Sequence, residues 1–187
     1  MADQGAMSDE LEVLKLVATR LDAAGIAYMI SGSMAMNYYA QPRLTRDIDV
    51  VAELVPADAD RIVQLFSADF YCDPDTVRDA IARHAMFNLI HSDLAIKVDF
   101  IVRKATPYRE TEFARRRDAI VAGIRLWMVS PEDLLLSKLV WAKDSHSELQ
   151  LKDGRNLIAC VPTIDWPYVE RWASELSVAA LLDEVRR

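Results

Sequence analysis

At 187 residues, with 52% apolar and 27% charged side chains, the chain has the composition of one globular unit with a core, which excludes a disordered or fibrous protein. Its formal net charge of −7 argues against a general nucleic-acid binder, because such binding needs a basic surface that releases counterions. No apolar run approaches the ~20 residues of a membrane span, the opening MADQGAMSDELEVLK lacks a signal peptide's basic start, and Cys72 and Cys160 lie outside any Cys-x-x-Cys pair, so a cytoplasmic location without disulfide or structural zinc is expected.

The first periodic stretch, SDELEVLKLVATRLDAAGI, puts Leu11, Leu14, Val17, Ala18 and Leu21 on one helix face, with Ser8 as a cap and Gly25 as a stop. AYMIS reads as a short buried strand ending at Gly32, and SMAMNYYA as a helix ended by Pro42. DIDVVAEL has the β-branched content of a strand, Pro56 opens a helix through about Ser67, and residues 75–83 form another short helix. AMFNLIH and LAIKVDFIV flank Ser92-Asp93 as a hairpin, and DAIVAGIRLWMVS supplies a second strand pair turned at Gly123.

Ser130-Pro131-Glu132-Asp133 then combines an N-cap serine, a proline at the first helical position and an acidic residue three after the cap. Three or four helices follow, the second near 147–160 and the third opened by Asp165-Trp166-Pro167. The expected class is α/β (α+β): a mixed sheet core over residues 1–129 flanked by helices, with a helical region, 130–187, packed on it in the same compact unit.

Side chains i and i+2 of a strand share a face about 6.6 to 6.8 Å apart along the chain, so Asp47 and Asp49 project together. Two such carboxylates repel unless a divalent cation lies between them, and all-oxygen ligands favour magnesium or manganese over zinc. A solvated aspartate pair at a strand start is the plainer alternative. Gly32 allows close backbone approach to a ligand, the following helix offers unpaired N–H groups to an anion, and Ser33 adds a hydroxyl. Alone, that pair could be an ordinary helix cap. Together, an anion cradle leading through one helix to paired carboxylates meets the needs of a nucleoside triphosphate with its magnesium ion. Asp99, among Val98, Phe100, Ile101 and Val102, is costly in an apolar strand unless paired or metal-bound, and makes a third carboxylate.

These residues carry a resemblance. Gly32-Ser33, thirteen intervening residues, Asp47-Ile48-Asp49-Val50 and a later Asp99 resemble the nucleotidyltransferase superfamily related to DNA polymerase beta. The resemblance implies a mixed sheet flanked by helices, a Gly-Ser loop that holds the triphosphate, and metal-binding first and second acids. It also implies a third acid, matched by Asp99, that shares a metal and promotes attack by the acceptor hydroxyl. SPEDLLLSKLVWAKDSHSELQLKDGRNLIA is similar to the helical tail of bacterial abortive-infection toxin-type nucleotidyltransferases, which implies roles for Lys138 and for Lys152-Asp153. Gly154, next to Asp153, departs from that pattern, and a mid-helix glycine costs about 1 kcal/mol relative to alanine.

Lys138 also stands out by itself, since a lysine in the apolar LLLSKLVWA must reach water or an anion. Arg43 and Arg46 could neutralise phosphates or be exposed structural residues. His84, His91 and His146 show no ligand spacing and are expected to be structural or exposed; the aromatics of DWPYVERW are expected in the core. From Lys97 to Arg125 there are eight Lys and Arg against four Asp and Glu, with Arg115, Arg116 and Arg117 together, a local basic patch or a solvated helix end. The toxin-type resemblance implies an RNA acceptor such as tRNA and an antitoxin protein as partner. Lincosamide- and aminoglycoside-modifying enzymes share the same acids and imply a small acceptor, while a silent nucleotide-binding module is a rival of another class.

Overall fold

The computed structural model describes residues 8–145 and 147–187; the expectation for His146 lies outside them. Helix α1 (Asp9–Ala24) buries Val13, Leu14, Val17, Ala18 and Leu21 and closes at Gly25, which takes the left-handed conformation (φ 64°). Strand β1 (Tyr28–Ser31) runs directly into α2 (Gly32–Tyr39), and β2 (Asp47–Ala52) follows the loop after it. A 3-10 turn at Pro56–Asp58 leads to α3 (Ala59–Phe66), β3 (Phe70–Tyr71) and α4 (Pro74–Ala82). The two expected hairpins are β4 (Met86–His91) with β5 (Lys97–Val102), and β6 (Arg117–Val121) with β7 (Ile124–Met128). The helices α6 (Pro131–Ser145), α7 (Glu148–Cys160), α8 (Trp166–Glu175) and α9 (Ala179–Val185) complete the chain.

Among the described residues the seven strands make one mixed sheet in the order β3-β4-β5-β2-β1-β7-β6. β2 is antiparallel to β1 and parallel to β5, and β1 is parallel to β7. The alternation of side chains along β2 and β5 divides their residues between two faces. Ile48, Val50, Val98, Phe100 and Val102 go to the core, where Phe100 stacks on Phe87 at 5.1 Å and meets Phe66 of α3 edge-on at 5.6 Å. Asp47, Asp49, Lys97 and Asp99 occupy the other face. Helix α6 inserts Leu134, Leu135, Leu136 and Leu139, each at most 1% exposed, and such burial stabilises by about 1.5–3 kcal/mol per side chain.

Two elements were not expected. β3 is only two residues long, too short for a period to register. Helix α5 (Pro107–Ala114) starts at Thr106, whose hydroxyl accepts from Arg109 N–H, with Pro107 at the first helical position. Its inward face includes Glu112, 2% exposed, which accepts from Arg109 at 2.7 Å and from the Ser137 hydroxyl at 3.0 Å. A buried ion pair thus takes the position an apolar residue would have marked.

The basic triplet is not a free patch, although Arg117 keeps half of its side chain exposed just past the end of α5. Arg115 reaches Glu132 and Asp133 at 3.3 Å, Arg117 reaches Glu132 at 3.0 Å, and Arg116 lies over the Phe113 and Trp127 rings. The reason is that Glu132 and Asp133 are buried at the start of α6, and buried carboxylates require partners. His84 is exposed with Nδ1 2.9 Å from the Arg103 carbonyl, and His91 packs edge-on against Phe70. Trp172 is buried at the core, where its ring meets Tyr108 and Tyr168. Among the described residues no helix is long and apolar enough to cross a membrane.

Candidate active site

The sheet's register assembles the acids. Asp49 lies opposite Ser31 on β1 and opposite Asp99 on β5, while Asp47 lies opposite Lys97. Gly32 sits where β1 becomes α2, with φ 58°, and a Cβ built on it would fall 1.8 Å from Asp49 Oδ2 and 2.5 Å from its Cγ. Only glycine gives the Asp49 carboxylate room against the backbone at the helix start. The nearby Ser33 backbone N–H favours the ionised form of that carboxylate. Even so, burial, followed by the nearby Asp99 charge, pushes the Asp49 carboxyl above its ordinary range, with Lys138 opposing the shift. Desolvation and like charge both disfavour the ionised form.

Asp99 is 7% exposed. Its Oδ2 accepts from Lys97 Nζ at 2.9 Å, and the same ammonium lies 3.6 Å from Asp47 Oδ1. The Asp99 hydrogen bond pushes the Lys97 ammonium above its ordinary range. Asp99 Oδ1 is buried without a hydrogen-bond partner. Among the described residues no three His, Cys, Asp or Glu side chains converge as a ready-made metal site; the Lys97 ammonium lies between two of the carboxylates.

A second cluster faces the acids. Ser33 Oγ accepts from Arg43 Nη2 at 2.7 Å, and Arg43 reaches Asp153 Oδ2 at 3.4 Å. Asn37 of α2 holds Arg43 by its backbone, donating to its carbonyl and accepting its N–H, both at 2.9 Å. Lys138 of α6 donates to Asp153 of α7 at 2.8 Å, with both side chains almost wholly buried. A Cβ on Gly154 would make only ordinary van der Waals contact, 3.4 Å from Leu135 and 3.6 Å from Val185, so the packing of α7 between α6 and α9 does not demand glycine beside Asp153. Lys138→Met is expected to lower unfolding stability by about 3 kcal/mol by stranding a buried carboxylate. Urea denaturation measures this, and a loss under about 1 kcal/mol would mean that the pair behaves like a surface ion pair.

Asp49, Asp99, Gly32, Ser33 and Lys138 line one cleft; Arg43 and Asp153 stand behind its cationic side. Arg46 and Lys152 are exposed and not brought into this cluster. Residues that the sequence reading missed also line the cleft, among them Met86, Ile101, Trp141 and Gln150. Trp141 is 58% exposed, and Gln150 Oε1 is buried without a partner. Only the β4–β5 register could have pointed to Met86, which lies opposite Ile101. Trp141 and Gln150 depend on how α6 and α7 pack.

No family model matches the sequence, and no curated protein matches it. Solved structures do resemble it in fold. An antigenic nucleotidyltransferase-like protein from Paracoccidioides brasiliensis is 21% identical, with 83% of this chain and 77% of that chain covered and a TM-score of 0.57. The antibiotic-resistance factor ANT(2'')-Ia is 14% identical over 92% of this chain and 94% of its own, with a TM-score of 0.60. The lincosamide antibiotic adenylyltransferase LnuA, in its lincomycin-bound structure, is 13% identical over 84% of this chain and all of its own, with a TM-score of 0.53. The chain therefore has the nucleotidyltransferase fold.

Proposed function

We propose that the protein transfers a nucleoside monophosphate from a nucleoside triphosphate to an acceptor hydroxyl, releasing pyrophosphate, with magnesium or manganese as cofactor. The observation that carries this reading is the cross-strand pair Asp49 and Asp99, set beside the Gly32-Ser33 helix start in one cleft with Lys138. The acids fit a hard divalent cation: their donors are all oxygen, and Asp99 Oδ1 is buried and unpartnered. Asp47, Asp49 and Asp99 would hold the cation, which supplies charge neutralisation at the reacting phosphate when bound.

The chain's own groups divide the remaining work. The start of α2, with the Ser33 hydroxyl, binds the triphosphate through unpaired N–H groups and the positive helix end. Lys138 and Arg43, kept in position by Asp153, offset phosphate charge. Asp99 takes the acceptor's hydroxyl proton as the acceptor oxygen bonds to the α-phosphorus and the bond to the leaving pyrophosphate breaks. The apolar wall of Met86 and Trp141 can receive a ring of either substrate.

For the acceptor, a small hydroxylated molecule is favoured. In the densest basic run, Arg115 and Arg116 are held against carboxylates and aromatic rings and the half-exposed Arg117 reaches Glu132, which leaves little unpaired positive charge for a phosphate backbone. ANT(2'')-Ia has been seen with adenylyl-2''-tobramycin and LnuA with lincomycin. An RNA acceptor with an antitoxin partner rests on the tail's resemblance alone. The test supplies purified protein with magnesium and each α-labelled nucleoside triphosphate, alongside aminoglycosides and lincosamides or total RNA. Label on a small acceptor is the expected result. Label on an RNA band would restore the RNA reading, and metal-dependent nucleotide binding without transfer would indicate a silent module.

A further inference from the structure

Lys97 is a charged residue at the acid cluster to which the transfer reaction assigns no work. It shares a sheet face with the carboxylates: its strand partner is Asp47, and Asp99 lies two residues along the same strand. Its ammonium donates to Asp99 at 2.9 Å and lies 3.6 Å from Asp47. Asp99 is too deeply buried for this to be an incidental surface ion pair, since its side chain is 10% exposed. The lysine itself is different. Its side chain is 39% exposed, whereas Lys138 on the other side of the cleft is only 5% exposed. Lys138 is fixed between helices, while Lys97 is free at its solvent side to change rotamer.

We propose that Lys97 is a tethered counter-ion that occupies the cation position of the acid cluster and competes with the divalent metal for it. The inference rests on reading the acids as a metal site. Three carboxylates on one face repel one another in the free protein, and a single positive charge bridging Asp47 and Asp99 keeps them assembled. Loading a divalent cation requires the ammonium to leave those oxygens. Cation binding to the nucleotide-free protein is therefore weak, and a metal arriving with a triphosphate displaces the lysine more readily than a free metal does.

The experiment measures manganese affinity of nucleotide-free protein by electron paramagnetic resonance, for wild type, Lys97→Met and Asp49→Asn. Lys97→Met is expected to bind manganese roughly tenfold more tightly or better, and Asp49→Asn to lose binding. Equal affinity in wild type and Lys97→Met, with binding still dependent on Asp49, would overturn the role of Lys97 alone. Binding that ignores Asp49, or no binding in any of the three proteins, would overturn the metal reading and the inference with it. A second measurement needs no substitution at Lys97. Amine-reactive labelling of Lys97 in wild type, quantified by mass spectrometry, is expected to rise several-fold at saturating manganese, and unchanged labelling would count against displacement.

Discussion

Asp49→Asn is expected to lose nucleotidyl transfer by on the order of 10³-fold while unfolding at the same urea concentration as the wild type or a higher one. The two halves of this result have one cause. Asp49 is held beside Asp99 and against the Gly32 backbone, where burial and like charge push its carboxyl above the ordinary range. A site that forces a carboxylate to ionise there stores repulsion in the folded state, and the amide removes the charge without changing the shape. The sign of the pH dependence follows. The folded state binds this proton more tightly than the unfolded chain, so ionisation costs stability as pH rises through the raised pKa. The stability gain of Asp49→Asn should be present at neutral pH and fade in acid, below the ordinary carboxylate range, where both states are protonated. Urea titrations at several pH values measure it. Wild-type transfer by Asp49→Asn would remove Asp49 from the site, and marked destabilisation at neutral pH would show that the charge is a structural asset.

Gly32→Ala should be the most damaging single-methyl change in the chain. Alanine in the left-handed conformation costs about 1–2 kcal/mol, and overpacking adds about 1–3 kcal/mol, because the new Cβ would overlap Asp49 Oδ2 at 1.8 Å. Either the helix start shifts or the carboxylate rotates, and both disturb the phosphate end and the acids together. Transfer is expected to fall by at least about 100-fold. Gly25→Ala is the matched control: Gly25 has φ 64° with nothing within 4 Å of its Cβ position. It should show the backbone cost alone and retain activity. If the two variants behaved alike in urea unfolding and in transfer, the Gly32–Asp49 contact would not have the importance assigned to it.

Much of the fold is readable in the chain because its breaks are chemically marked. Gly25, Gly32, Pro56, Gly123 and Ser130-Pro131 each sit at an observed boundary. Helix α5 had such a mark too, in Thr106-Pro107, but its inward Glu112 broke the apolar pattern that would have supported it. Strand order is another matter. That β1 lies between β2 and β7 depends on long crossovers whose outcome is set by how layers of helices cover the sheet, and no local pattern records it. The same division holds at the site. Asp47 and Asp49 are adjacent enough to be noticed, and Asp99 is conspicuous among apolar neighbours. Lys97 became visible only once the β2–β5 register set it opposite Asp47. Asp153 was suggested by resemblance, and its physical task, holding Lys138 and Arg43 at once, is seen only in three dimensions. In the sequence the arginine triplet stays open between a patch and a solvated helix end, because charge counted along the chain ignores carboxylates that the fold brings to it.

The Asp153 link also fixes an order of events during synthesis. Arg43 and Asp153 are separated by 110 positions in the chain, and closing so long a loop comes after local pairing. A growing chain that has emerged as far as β7 already contains all three carboxylates, but neither the lysine from α6 nor its anchor on α7. Such an intermediate has the acids and the start of α2, but lacks Lys138 and the Asp153 carboxylate that positions Arg43. Under the proposed function, catalytic competence would arrive only once α6 and α7 have packed, so turnover would report the folding of that helical layer as well as of the sheet.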